Sequence, residues 1–286
     1  MANLKEIRNR ITSIGSTMQI TSAMKMVSAA KLKKAQDAIT AMRPYSSKLT
    51  ELLQNLSATL DSDAGGDYSK QREVSKALLV VVTSNRGLCG GFNSSVIKET
   101  VKNIEANYQG VEVELLTIGK KGNDILSKTY PVIEARNDVY DDLTFENVAE
   151  IAEKLMSLYV DGSYDKIEIV YNQFKNAATQ IPQVEQFLPI KPVEGDTNAN
   201  ADYIFEPSKE EIVLALIPKS LKTQLYKSVR DSFAAEHGAR MTAMHKATDN
   251  ATELRDDLLL TYNKARQAAI TNEILEIVGG AEALNN

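Results

Sequence analysis

The first sixty residues carry a hydrophobic stripe with the period of a long helix. Most positions reached by alternating steps of four and three residues, from Ile7 to Leu60, are apolar. This repeat is typical of a coiled-coil seam. Pro44 predicts a kink or a break within the helix. A helix of about 55 residues is on the order of 80 Å long, longer than a domain of this size is wide, so the stripe favours a projecting rod over a helix packed only on its own domain.

Polar residues interrupt this stripe at Thr21, Lys25 and Ser28. Apolar side chains stand beside the gap, among them Met26 and Val27. The pattern predicts that the buried stripe moves around the helix at this point.

The last third of the chain predicts a second long helix, from Lys219 to a stop at Gly279-Gly280. A long solvated helix is weakly stable alone. We therefore expect the two terminal helices to pair, antiparallel because both leave the same domain. The predicted seam positions are Leu254, Leu258, Thr261, Ala265, Ala268, Asn272 and Leu275, with Ile270, Ile274 and Ile277 on a neighbouring face.

The middle of the chain alternates between strand and helix patterns and holds thirteen of the seventeen Tyr and Phe residues. Such alternation is typical of a largely parallel sheet covered by helices. The predicted strands are 76–83, 111–118, 166–174 and 180–190, the last two antiparallel, and the predicted helices are 94–108, 121–128 and 145–160. Three segments result: an N-terminal helix over 1–60, an α/β domain over 70–207 and a C-terminal helix over 208–286.

Charge is distributed unevenly along the chain. Residues 1–60 hold nine Lys or Arg and three Asp or Glu, although the whole chain has a net charge of −5. A basic arm on an acidic body indicates an anionic partner. No apolar run approaches the roughly 20 residues that cross a bilayer, and no leader peptide is visible, so we expect a soluble, intracellular chain.

A glycine-rich segment, Thr83–Asn93, lies between a predicted strand and a predicted helix, where many α/β folds bind phosphate. Its glycines, Gly87, Gly90 and Gly91, match neither the P-loop nor the dinucleotide spacing. A tight turn that requires positive φ explains them without a ligand. The sequence therefore predicts a structural glycine loop and no cofactor.

The remaining reactive side chains do not form a catalytic set. Cys89 is the only cysteine, which excludes a disulfide within the chain, and it has no histidine near it in sequence. His237 and His245 lack the spacing of a metal site. The residues thus indicate an interaction protein rather than an enzyme.

Two alternatives remain open at this point. One is a nucleotide-binding α/β enzyme with a coiled-coil arm. The other is a nucleic-acid binder that uses the basic arm, although aromatic residues for base stacking are sparse on both arms.

Several segments resemble the F-type ATP synthase gamma subunit family of the bacterial type. Near the N-terminus these are 20–31, which reads ITSAMKMVSAAK, and Arg43-Pro44-Tyr45. The glycine loop follows in the same order, and then come 240–244, 247–251 and 262–271 near the C-terminus. The resemblance covers essentially the full length.

The resemblance implies a non-catalytic central-stalk rotor. In this family the terminal helices form an antiparallel coiled coil inside a ring of three alpha and three beta subunits. A Rossmann-like α/β domain forms the foot, which binds the epsilon subunit and the membrane-embedded c-ring. Proton flow turns the ring and the shaft, and the shaft drives the beta subunits through their nucleotide states. The implied location is peripheral, on the cytoplasmic face of a bacterial plasma membrane.

The resemblance also implies roles for particular residues. Met24 matches the methionine next to an acidic loop of the beta subunit, and Lys25 follows where some relatives carry an acid. Arg266 and Gln267 match a pair that hydrogen-bonds to a beta-subunit loop. The segment that contains Ile270, Ile274 and Ile277 corresponds to the shaft tip, which turns in an apolar collar.

Overall fold

The computed structural model describes residues 4–57, 66–190 and 209–285. These residues form two compact units. The first, which we call the helical unit, comprises Met1–Ser28 and Met241–Asn286. The second, the α/β unit, comprises Ala29–Arg240.

The described residues form five α-helices, five strands and two short 3-10 helices. Both units contain part of the first and part of the last helix. The helices are α1 (Leu4–Ser57), α2 (Phe92–Asn107), α3 (Lys120–Leu126), α4 (Phe145–Val160) and α5 (Lys209–Asn285). The strands are β1 (Lys76–Val82), β2 (Glu112–Ile118), β3 (Val132–Arg136), β4 (Lys166–Phe174) and β5 (Gln180–Leu188).

The strands form one sheet in the order β3-β2-β1-β4-β5. Neighbours are parallel except β5, which runs antiparallel to β4, as the sequence predicts. The sequence pattern missed β3. This edge strand has only five residues and alternates charged with apolar positions, with Ile133 left 39% exposed, so it lacks the apolar run that marks a buried strand.

Helices cover both faces of the sheet. One face packs its alternate β1 residues, Leu78, Val80 and Val82, against α4 and the α/β-unit part of α5. The other face packs Ala77, Leu79 and Val81 against α2 and α3. Every one of these β1 side chains is fully buried, because a central parallel strand has a helix layer on each side.

Within the helical unit, the two helix segments run antiparallel. Arg8 donates a hydrogen bond to the Tyr262 hydroxyl over 2.7 Å, and Thr21 and Thr248 hydroxyls are 2.8 Å apart. Between these two pairs, Thr252 Oγ1 lies 3.3 Å from Met18 Sδ. Residue numbers rise along one helix as they fall along the other, which confirms the expected antiparallel pairing.

The predicted movement of the hydrophobic stripe around α1 is wrong. Thr21 and Ser28 are buried, at 8% and 1% exposure, whereas Met26 and Val27 are 65% and 57% exposed. Both buried hydroxyls are satisfied: Ser28 donates to the Met24 carbonyl, and Thr21 to the carbonyl of the preceding turn. Intrahelical bonding of this kind lets small hydroxyl side chains occupy a helix seam without the desolvation cost of an unpaired group.

The predicted seam of α5 is wrong at several positions. Leu254 is 52% exposed and Leu275 is 62% exposed, although both were expected to face the partner helix. The protected positions recur every seven residues: Met244 and Ala251 are buried, and Leu258 and Ala265, which belong to the predicted seam, are half-buried. Small side chains alternate with larger ones along this seam, so its amphipathic contrast is weak and the exposed leucines misled the sequence pattern.

The predicted break at Pro44 and the predicted ends of the second long helix also differ from the structure. Helix α1 continues through Pro44, and the buried residues Ile39 and Leu49 on either side provide packing that offsets the lost hydrogen bond. Helix α5 begins at Lys209, ten residues before the predicted start, and passes Gly279 to end at Asn285. Good helix formers follow the glycines, so the propensity cost of about 1 kcal/mol per glycine does not end the helix.

Replacing Gly119 with alanine should destabilise the α/β unit strongly. Gly119 has φ +98, and an added Cβ would lie 2.1 Å from the Thr83 carbonyl oxygen. We expect the free energy of unfolding to fall by about 3–5 kcal/mol in urea denaturation, from backbone strain and overpacking together. Gly110→Ala is the control, because Gly110 has φ +79 with no atom near the new Cβ; it should cost about 1–2 kcal/mol. Equal costs would contradict the close approach at Gly119.

Candidate partner-binding surfaces

The helical unit presents two groups of the residues singled out from the sequence. Met24 and Lys25 are half-buried on α1, and the Lys25 ammonium lies 3.4 Å from His245 Nδ1 on α5. Arg266 and Gln267 are exposed on α5. His245 and Arg266 are about 30 Å apart along α5, from a rise of ~1.5 Å per residue. The structure therefore does not bring the two groups together; they form separate surfaces along one helix pair.

The C-terminal part of α5 exposes large apolar side chains. Ile270, Ile274 and Ile277 are 48%, 55% and 72% exposed. Leu275 and Val278 beside them are also more than half exposed. Contiguous apolar surface of this kind is characteristic of an interface.

In the α/β unit, the glycine loop follows β1 at the point where the strand order reverses. Ligands of open α/β folds bind in the crevice at such a switch point. Of the three predicted glycines only Gly90 has positive φ, at 59°; Gly91 caps α2 with φ −80°. The other left-handed residue is Leu88, with φ 63°. The prediction that positive φ explains all three glycines is therefore wrong, and an open space around Gly87 gives no steric reason for that glycine.

Polar groups of the loop are bonded to one another and to its neighbours. The Ser84 amide donates to Asn93 Oδ1 over 3.0 Å, and the Ser84 hydroxyl donates to the Arg86 carbonyl over 2.7 Å. Asn85 connects the loop to the segments that follow β3 and β2. Its Nδ2 donates to the Asn137 carbonyl over 2.7 Å, and its Oδ1 accepts from the Lys120 amide over 3.0 Å. A phosphate would have to displace these bonds.

The guanidinium of Arg240 binds the glycine loop from α5. It donates to the carbonyls of Gly87 and Arg86, the latter over 3.3 Å, and it pairs with Glu236 one turn away on the same helix. The side chains of Arg240 and Glu236 are only 9% and 10% exposed. Burial raises the pKa of the Glu236 carboxyl, an effect that the Arg240 charge opposes. This buried pair joins the helix to the loop.

The sequence did not predict a role for Arg240 or Glu236, although Arg240 opens the segment 240–244 that carries part of the resemblance. Their only local signal is a Glu–Arg spacing of four residues within a run of small side chains. Such a spacing is common on exposed helix faces, and burial between α5 and the loop is visible only in the folded chain.

Cys89 is a free, buried thiol. It is 2% exposed and packs with Phe92, Ala235 and Ala239. Burial raises the pKa of the thiol, which disfavours the reactive thiolate.

His237 is buried on α5 without a hydrogen-bond partner for either ring nitrogen. Its ring meets Phe233 edge-to-face, with centroids 4.5 Å apart. Burial, and to a smaller extent the positive charges of Lys31 and Arg240, together lower its pKa to about 4. The imidazole is therefore neutral at pH 7 and packs against Phe233. Among residues 4–57, 66–190 and 209–285, no group of three or more His, Cys, Asp and Glu side chains is arranged to hold a metal ion.

Comparison with known proteins gives consistent matches along the whole chain. The family model described as ATP synthase matches residues 3–284. The ATP synthase gamma chain of Flavobacterium psychrophilum is 75% identical over 285 residues, covering 99% of each chain. That of Flavobacterium johnsoniae is 75% identical over 286 residues, covering all of both chains, and that of Christiangramia forsetii is 67% identical over 285 residues, also covering all of both.

Solved structures share the fold. A chain of the Tetrahymena thermophila mitochondrial ATP synthase central stalk and c-ring structure matches with TM-score 0.60 and 25% identity, covering 80% of this chain and 99% of that one. A chain of the Euglena gracilis mitochondrial ATP synthase matches with TM-score 0.70 and 22% identity, covering 98% of this chain and 94% of that one.

Removing the Arg240 guanidinium should destabilise the α/β unit. Arg240→Met leaves Glu236 buried without its partner, and we expect the free energy of unfolding to fall by about 3–5 kcal/mol in urea denaturation. Adding Glu236→Met should recover a large part of the loss. Lys33→Met is the matched control, because Lys33 pairs with Asp37 in an exposed contact worth under ~1 kcal/mol. A loss no greater than that of the control would refute the buried pair.

Stability should depend on pH through His237. Because the folded pKa is about 4 and that of an unfolded histidine is about 6.5, the unfolded chain binds the extra proton between these values. Stability therefore falls as pH decreases from about 6.5 to 4, by on the order of 3 kcal/mol. His237→Phe should abolish this contribution and be neutral or stabilising at pH 7, since no unpaired nitrogen remains. The midpoint of urea denaturation at several pH values measures this contribution. If the midpoint depended on pH in His237→Phe as it does in the native protein, the contribution would not come from His237.

Proposed function

The chain belongs to the ATP synthase gamma chain family, the non-catalytic central-stalk subunit, and we propose that its helical unit couples rotation to ATP synthesis and hydrolysis through two contact surfaces. The observation that carries this proposal is 75% identity to gamma chains along the entire length. Its partners are three alpha and three beta subunits, an epsilon subunit and a c-ring driven by protons.

The shaft consists of the paired terminal helices. A rotor transmits torque only if it resists bending and twisting, and two packed helices are stiffer than one. Contacts along the pair, including the bond between Arg8 and Tyr262 and the one between Thr21 and Thr248, hold the helices in one register. The division that we propose is an N-terminal helix over 1–60, a Rossmann-like foot over 70–207, which binds epsilon and the c-ring, and a C-terminal helix over 208–286.

Coupling requires contacts that differ among the three beta subunits. A shaft with equal affinity for every beta conformation would shift none of them. We assign the differential contacts to Met24 and Lys25 at one level and to Arg266 and Gln267 at another. The exposure of Arg266 and Gln267 supports this assignment, because their amide and guanidinium groups are free to bond with a partner loop.

The exposed isoleucines near the C-terminus form the rotating tip. Ile270, Ile274 and Ile277 would be costly to leave in water, at roughly 25 cal/mol per Å² of apolar surface. An apolar collar of alpha and beta subunits covers them. Contacts between apolar side chains are non-directional, so such a collar restrains the tip without binding it in one rotational position.

Members of this family are part of a membrane-associated complex. None of the described helices is both apolar and long enough to span a bilayer. We propose a peripheral position at the cytoplasmic face of a bacterial plasma membrane, with membrane contact made indirectly through the c-ring.

A nucleotide-binding enzyme is not favoured. The crevice where an open α/β fold binds its ligand holds the Arg240 guanidinium, which donates to the carbonyls of Arg86 and Gly87. An enzyme would require saturable nucleotide binding by the chain alone. A nucleic-acid binder would require binding that weakens steeply with salt.

Truncating Arg266 and Gln267 together should impair coupling. In the assembled complex, Arg266→Ala with Gln267→Ala removes the charge-assisted bonds of Arg266, worth about 1.5–3 kcal/mol each, and the neutral amide bonds of Gln267, worth about 0.5–1.5 kcal/mol each, so we expect ATP turnover to fall about tenfold or more. Turnover by the purified complex is the measurement, and subunit stoichiometry reports assembly.

Asn263→Ala with Lys264→Ala is the matched control, because both residues are exposed on the same stretch of α5 and we assign them no contact. This control should retain nearly full turnover. Unchanged assembly and turnover in the Arg266–Gln267 variant would contradict the proposed contact.

A further inference from the structure

Three ionisable side chains meet on the helical unit. Lys25 Nζ on α1 lies 3.4 Å from Nδ1 of His245 on α5. The same ring nitrogen lies 3.4 Å from an oxygen of Asp249, one turn further along α5. Within the part of the chain that the structure describes, Lys25 and Asp249 are the charged groups recorded in contact with this ring.

The two contacts require opposite protonation states of one atom. An ammonium group only donates hydrogen bonds, so Lys25 needs a lone pair on Nδ1. A carboxylate only accepts them, so Asp249 needs a proton on Nδ1. His245 therefore cannot satisfy both partners at once.

We propose that His245 is a proton-controlled selector that decides whether Lys25 is held against α5 or released towards a partner subunit. With the ring neutral and its proton on Nε2, Nδ1 accepts from Lys25. When Nδ1 takes a proton from water, it donates to Asp249, and the imidazolium repels the ammonium. The new N–H bond on Nδ1 is the only covalent bond that this step changes. The functional half of this inference rests on the proposed role of Lys25 as a beta-subunit contact.

The position of the cluster suits such a device. The side chains of His245 and Asp249 are 56% and 58% exposed, so protons exchange directly with water. Histidine is the side chain whose ordinary titration falls between pH 5 and 8. Lys25 is adjacent to Met24, so the freed ammonium enters the surface assigned to the beta subunit.

The first test measures the proton on the ring in the isolated full-length chain. The chain has two histidines, so ¹⁵N-histidine labelling gives two imidazole signals, and His245→Gln identifies one of them. At pH 8 we expect neutral His245 to carry its proton on Nε2. Lys25→Met should raise the ratio of the Nδ1–H to the Nε2–H form about two- to fivefold, the scale of one exposed ionic contact. An Nδ1–H tautomer that Lys25→Met leaves unchanged would overturn the selector.

The second test uses the assembled complex. We expect the ratio of ATP turnover at pH 6 to that at pH 8 to differ about two- to fivefold between the native protein and His245→Gln, which stays neutral throughout. His245→Lys, which stays charged, should resemble the native protein at pH 6. Lys246→Gln is the control for a lost charge on the same exposed turn, and its ratio should match that of the native protein.

The two tests separate this inference from the proposed function. If the tautomer responds to Lys25→Met but the turnover ratio is the same in His245→Gln and the native protein, the release of Lys25 has no consequence for coupling and the regulatory proposal fails. The assignment of Arg266 and Gln267 is then unaffected, because its own test does not involve pH. Loss of turnover in the Arg266–Gln267 variant, together with the same pH 6 to pH 8 turnover ratio in His245→Gln and the native protein, would support the rotor contacts and refute the selector.

Discussion

Neither terminal helix would be stable unless part of its surface were buried. A long helix gains little stability from its own hydrogen bonds in water, so α1 and α5 depend on the contacts that they bury. The α/β unit buries Leu32, Ala35 and Ile39 of α1 and Leu225 and Val229 of α5. The helical unit buries a thinner stripe, in which hydroxyl and small side chains replace leucine. Everything that we assign to rotation depends on that thin stripe holding two helices in register.

The composition of this stripe leaves large apolar side chains on the outside. Met26, Val27 and Leu254 are all more than half exposed, although each is a good core residue. A chain that folded only for its own stability would bury them. Their exposure has a physical explanation if other subunits surround the helix pair, because the apolar surface is then covered in the complex.

The α/β unit separates fold from function. Its glycine loop stands where open α/β folds bind ligands, yet the Arg240 guanidinium from α5 bonds to this loop, and Cys89 packs with Phe92, Ala235 and Ala239 beside it. Function belongs to sites rather than to folds. Here the crevice is an internal joint, held by a buried ion pair between Arg240 and Glu236.

The sequence alone determined the two long helices, four strands of the sheet with its antiparallel edge and the seam of α1 outside residues 21–28, because burial imposes a period near 3.5 residues on a helix seam and a continuous apolar run on a buried parallel strand. Tertiary structure decided the rest. Thr21 is buried and Met26 is exposed because position on the helix, not side-chain hydropathy, sets which residue faces the partner. The pairing of Arg240 with the loop joins residues about 150 positions apart, and the meeting of Lys25 with His245 depends on helix register. Contacts between distant segments leave no local period in a sequence, so only the folded chain reveals them.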